Sequence, residues 1–181
     1  IEAFCVPGFH PMCDGIALQG LRLINTWLPT AVNQPGNIEA RGGMLSGSCL
    51  AGIAFLKGLG MVHAISHMVG AEYDTHHGLT NAIVLPAVLE FNAQSIADKI
   101  PQMCDAMDVE DKSFDGFYRA VCEILDSLEI PLTLADIGVP ADCAAVIAEK
   151  AIQDSAAATN PRTASVAEIQ SIIEKAISYG R

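Results

Sequence analysis

The sequence predicts an all-α fold, a helical bundle domain spanning its 181 residues. Three observations predict it. Apolar residues recur at helical spacing in segment after segment. Glycine and proline clusters cut the chain into helix-length pieces. No segment alternates apolar and polar residues between hairpin turns, so no sheet beyond two short strands is expected. A hydrophobic content of 51% is ample for a core at this length.

The elements follow in order. "IEAF" at the start reads as the end of a helix already under way, and "VPGFHP" (Val6 to Pro11) reads as a loop. From Met12 to Leu28, Ile16, Ala17, Leu21, Ile24 and Leu28 mark one helix face. "NQPGN" (Asn33 to Asn37) breaks it. A helix rich in Gly, Ala and Ser runs from about Ile38 to Leu56, suited to close packing. Two more follow, around His63 to Ala71 and from about Gly78 to Asn92, where Pro86 should kink the helix or sit in its first turns. In the second half, Phe114, Phe117, Val121, Ile124, Leu125 and Leu128 share a face. "EIPLTLADIGVP" is a connector. The helix that follows starts at a cap on Asp142, and the last opens with a capping box, Ser165 to Glu168.

The net charge of −11 disfavours nucleic acid and anionic membrane surfaces, because both need a basic partner. No apolar run approaches the roughly 18 residues of a membrane helix. No basic amino end leads into an apolar segment, so no secretory signal is expected. The six cysteines are scattered, with no C-x-x-C pair, and read as reduced thiols of a cytoplasmic protein.

Four of the five histidines, His63, His67, His76 and His77, fall within "GLGMVHAISHMVGAEYDTHHGLTNAIVLP" (Gly58 to Pro86). One histidine on an apolar helix is ordinarily a hydrogen-bonded core residue. Three at related positions, framed by glycines, point to a metal or catalytic site. His63 and His67 are four apart and share a helix face. His77 follows across a polar turn, and Gly78 after it could let the backbone pass close by. Neutral imidazoles suit iron, zinc, copper or nickel, and spacing does not choose among them. Glu72 and Asp74 sit in an exposed turn, and the chain offers no convincing carboxylate ligand. His10 reads as an ordinary loop residue. "GLG" fails the dinucleotide fingerprint, and no phosphate loop or G-x-S-x-G is present.

The histidine stretch resembles the signature of the iron-containing (group III) alcohol dehydrogenases, G-x-x-H-x-x-x-H-x-x-G followed by H-G-x-x-N-A-x-x-L-P and F-N. The match falls at Gly60, His63, His67, Gly70, His77, Gly78, Asn81, Ala82, Leu85, Pro86, Phe91 and Asn92. "AGIAF" (Ala51 to Phe55) and "TNPR" (Thr159 to Arg162) also resemble the family. The likeness spans essentially the whole chain and implies the family's helical carboxyl-terminal domain.

The resemblance implies that His63 and His77 are metal ligands. It implies that His67 stands beside the metal, where it hydrogen-bonds substrate or cofactor or passes a proton. This displaces the reading from spacing, which put His67 among the ligands. His76 remains a weak alternative ligand. The implied metal is Fe(II), with zinc possible. The implied reaction interconverts a small alcohol and an aldehyde or ketone by hydride transfer with NAD or NADP. In the family, a D-x-x-x-H helix just before "IEA" supplies two more ligands, and an α/β domain before that binds the cofactor. Neither lies in these residues, so the chain alone is expected to be inactive. A homo-oligomer is expected, through apolar surface exposed around Met61, Ile65 and Met68. Two other readings stand beside this one. One is a glycerol dehydrogenase-like or dehydroquinate synthase-like metal enzyme. The other is a helical module that binds metal or a partner without catalysis.

Overall fold

The computed structural model describes all of residues 1–181 and contains no strand. Nine α-helices form: α1 (Glu2–Cys5), α2 (Pro11–Asn33), α3 (Ile38–Ala54), α4 (Met61–Tyr73), α5 (His77–Asn92), α6 (Ile100–Met107), α7 (Phe114–Ser127), α8 (Ala144–Ala151) and α9 (Val166–Ser178). Short 3₁₀ turns punctuate them. No single helix is long and apolar enough to cross a membrane. All six cysteines are free thiols, four of them buried. The helices fall into two compact units, residues 1–58 with 96–128, and residues 59–95 with 129–181.

The first unit is built on the α2–α3 hairpin, with α1, α6 and α7 completing it. The two long helices approach closely because glycines face each other. A Cβ on Gly20 would lie 3.1 Å from the Gly47 carbonyl, and a Cβ on Gly43 would overlap the Trp27 ring at 2.2 Å. Asn37 caps α3 by accepting from Ala40 N. His10 is more than a loop residue: it caps α2, its Nδ1 accepting from Cys13 N at 3.2 Å. Helix α2 runs on through Pro29, beyond the expected end at Leu28. Lys57 has a nearly buried side chain, and its Nζ donates to Asp14 at 2.5 Å and to the Phe4 carbonyl at 3.3 Å.

The second unit packs α4, α5, α8 and α9 around one apolar core that includes Ile65, Val69, Val84, Ile147, Ile169 and Ile173. Met61 and Ile65 belong to this core, 1% and 0% exposed, and the half-buried Met68 packs against it, so the apolar surface expected around these three does not form. The helix face that carries the histidines at one edge buries its methyl-rich side inward. The connector before α8 docks through Leu134 N, which donates to Ala176 O. Asp142 does not cap α8. A 3₁₀ turn over Ala141–Cys143 intervenes, and Cys143 takes the cap position without a side-chain bond. The expected capping box at Ser165 and Glu168 forms in full. Pro86 lies in the interior of α5, well past its first turns, and is buried.

Candidate functional site

The site lies within the second unit, where α4 and α5 meet. Helix α4 begins at Gly60, which has no side chain to cap it. Its first amide, Met61 N, instead donates to Asn160 Oδ1 at 3.1 Å, from 99 residues away. Asn160 also pairs with Asn92 at the end of α5, each side-chain amide donating to the other's oxygen at 3.0 and 2.8 Å. Thr159 Oγ1 accepts from Leu59 N and donates to Leu59 O. Arg162 donates to the Phe91 carbonyl and lies over the Phe91 ring at 3.9 Å. The "TNPR" and "F-N" segments therefore form one clamp. It fixes the start of α4 against the end of α5.

From that anchored end, His63 projects in the first turn of α4 and His67 one turn later. Tyr73 ends the helix, and Asp74 reverses the chain in a left-handed conformation (φ 51°). His76 then caps α5, accepting from Leu79 N at 3.3 Å, which gives it a structural task apart from the other three. His77 is the first residue of α5, and Asn81 follows a turn later. Gly78 shows neither a positive φ nor a tight approach; a Cβ there would touch only the His76 ring at 3.4 Å.

The three rings of His63, His67 and His77 form a triangle with centroids 5.3 to 5.8 Å apart. Asn81 Nδ2 lies 3.1 Å from His77 Nε2 and 3.5 Å from His63 Nε2. Two imidazole nitrogens thus face one point. Asn81 Oδ1 is buried without a hydrogen-bond partner, an unusual state for an amide oxygen. Ser66, fully buried, donates to His63 O and lies 3.4 Å from His77 Nδ1. Burial, then the neighbouring His63, His67 and His76, holds His77 below the ordinary histidine range. A ring kept neutral has the lone pair a metal needs.

His67 is turned differently. Its Nδ1 is 3.0 Å from Asp154 Oδ2, in the turn after α8. No sequence pattern marks Asp154, because the contact spans 87 residues. Glu72 pairs with Lys150 across the α4–α8 seam, and Asp74 serves the turn. No group of three or more His, Cys, Asp or Glu side chains converges to hold an ion. The donor set fits a borderline divalent cation, as two imidazoles, but it is a partial set that needs further ligands.

A model of the Fe-containing alcohol dehydrogenase family, C-terminal part, matches residues 1–177. The chain belongs to the iron-containing alcohol dehydrogenase family. Among curated relatives, the NAD-dependent methanol dehydrogenase of Bacillus methanolicus is 35% identical over 98% of this chain and 48% of its own length. The 1,3-propanediol dehydrogenase of Citrobacter freundii is 33% identical over 97% and 47%. A crystal structure of 1,3-propanediol oxidoreductase superposes with a TM-score of 0.93 at 33% identity, over 97% of this chain and 48% of the other. An alcohol dehydrogenase from Oenococcus oeni gives 0.92 at 29%, with the same coverage. The all-α domain is thus the carboxyl-terminal domain of this family. The chain spans about half the length of the curated relatives it matches.

Proposed function

We propose that this chain is the metal-binding helical part of an NAD- or NADP-dependent alcohol dehydrogenase that interconverts a small alcohol and an aldehyde or ketone by hydride transfer. One observation carries the proposal: His63 and His77, from two helices, direct Nε2 to the same Asn81 amide. The names of the relatives, for methanol and 1,3-propanediol, support a small alcohol as substrate.

In this reading His63 and His77 hold a divalent cation, Fe(II) with zinc as the alternative. Such a cation supplies Lewis acidity toward the substrate oxygen. The remaining ligands and most of the nicotinamide site come from residues outside these 181, so the chain alone shows no alcohol-dependent reduction of NAD or NADP. His67 hydrogen-bonds the substrate or cofactor and takes or returns the hydroxyl proton. Homo-oligomerisation belongs to the same reading. Ile38, Leu45 and Leu56 are 80%, 73% and 81% exposed along one face of α3 and its following turn, and such apolar surface favours a partner.

The test is titration of wild type, His63→Ala, His67→Ala and His77→Ala with zinc, and with ferrous iron under anaerobic conditions. Loss of a ligand should weaken binding by about 100-fold or more in the first and last variants, against about tenfold in His67→Ala, the scale for groups around a site. Equal loss in His67→Ala and His77→Ala would make His67 a ligand and overturn the assignment.

A further inference from the structure

His67 has its ring held by a carboxylate. Asp154 Oδ2 lies 3.0 Å from His67 Nδ1. Asp154 is itself held at both side chain and backbone. Its Oδ1 accepts from Ala156 N at 2.8 Å. Its backbone N–H donates to Ala151 O, and its carbonyl accepts from Ala157 N. The Asp154 side chain is 13% exposed, against 37% for His67. A half-buried acceptor, held by a backbone amide, therefore faces a more exposed ring.

We propose that Asp154 is a positioning residue that sets the tautomer of His67. An ionised carboxylate only accepts hydrogen bonds. A neutral imidazole carries one N–H, and this contact places it on Nδ1. Nε2 is then left as the acceptor, the form needed to take a proton from a hydroxyl. The same bond fixes the ring plane, so His67 stacks on His77 at 15° with centroids 5.4 Å apart. Without Asp154 the ring is free to rotate and to place its N–H on Nε2, where it can accept no proton. Orientation of a working histidine by a carboxylate on its other nitrogen is a general device. The purpose rests on the reading of His67 above; the tautomer itself does not.

The test is a long-range ¹H–¹⁵N spectrum of the histidine rings in the 181-residue chain at about pH 9, well above the ordinary histidine range. Wild type should show His67 as the Nδ1–H form. Asp154→Ala should lose that form, moving toward Nε2–H or an average of both. Asp154→Asn has one oxygen for two donors; with that oxygen kept on Ala156 N, its amide N–H faces Nδ1 and should drive the ring to the Nε2–H form. Circular dichroism checks that each variant is folded. An Nε2–H ring at His67 in wild type overturns the proposal whatever the variants do. So does an unchanged spectrum in folded Asp154→Ala, or a wild-type-like Nδ1–H ring in folded Asp154→Asn. In none of these spectra is metal present, so failure to bind metal would count against the function proposed above and leave this result standing.

Discussion

Asn92 and Asn160 exchange amide hydrogen bonds in both directions across 68 residues of sequence, and both are buried. The pair also holds the first amide of α4 and the Arg162 carbonyl. The histidine geometry begins here, because His63 stands in the first turn that this clamp anchors.

Asn160→Ala should therefore lower stability by about 2 kcal/mol or more, since it strands buried partners at Met61 and Asn92, each costing roughly 1 to 3 kcal/mol. Urea unfolding should show a lower midpoint with an unchanged slope. A loss under about 0.5 kcal/mol, the scale of an ordinary surface substitution, would mean that the network is not a clamp.

Gly43→Ala should disturb the α2–α3 seam. The added Cβ would overlap Trp27 at 2.2 Å from Cδ1, and overpacking of this kind costs about 1 to 3 kcal/mol. Trp27 is the only tryptophan, so its fluorescence reports the displacement directly. An unchanged emission spectrum and melting temperature would contradict the close approach.

Asp14→Ala should cost more than Lys57→Met. Removing the carboxylate leaves the buried Lys57 ammonium with only the Phe4 carbonyl, and breaking a buried pair costs about 3 to 5 kcal/mol. Replacing the lysine by an apolar chain of similar length removes the charge as well as the partner. Thermal melts of both variants give the order, and a more stable Asp14→Ala would reverse the argument.

Glu168 should contribute a pH-dependent part of the stability. Hydrogen bonds from the Ser165 backbone and hydroxyl, and the Arg162 charge, hold its carboxyl below the ordinary value of 4.5. Its contribution is complete above 4.5 and is lost as pH falls through the lowered folded value. Melting temperatures of wild type and Glu168→Gln, followed from neutral pH to about pH 3, should converge in acid, where the wild-type carboxyl is also neutral. A gap that stays constant would remove Glu168 from the pH dependence. Ser165→Ala, which loses the same box from the other side, should cost about 1 kcal/mol at neutral pH.

Much of this was legible in the amino-acid sequence. Periodicity and a local capping box such as that at Ser165 act within four residues, so most of the helices can be drawn from the sequence alone; the two-turn α6 is not among them. The spacing of His63 and His67 places both on one face for the same reason. The family likeness was legible too, because its motif is long and nearly contiguous. Local rules failed where a turn intervened. Asp142 reads as a cap, yet a 3₁₀ turn uses that position, and histidines at 10 and 76 act as caps although their residue type does not announce it.

What the sequence determined by itself is the helical periodicity and the presence of three histidines within reach of one another. The tertiary structure decided which nitrogen of each ring faces what. Asp154 reaches His67 from 87 residues away, and Asn160 caps Met61 from 99 away. Met61 and Ile65 are buried because α8 and α9 cover the face behind the histidines. Hydrogen bonds and burial depend on distances in space. Pattern along the chain encodes those distances only within a helical turn or two, and beyond that the packing of one helix on another sets them.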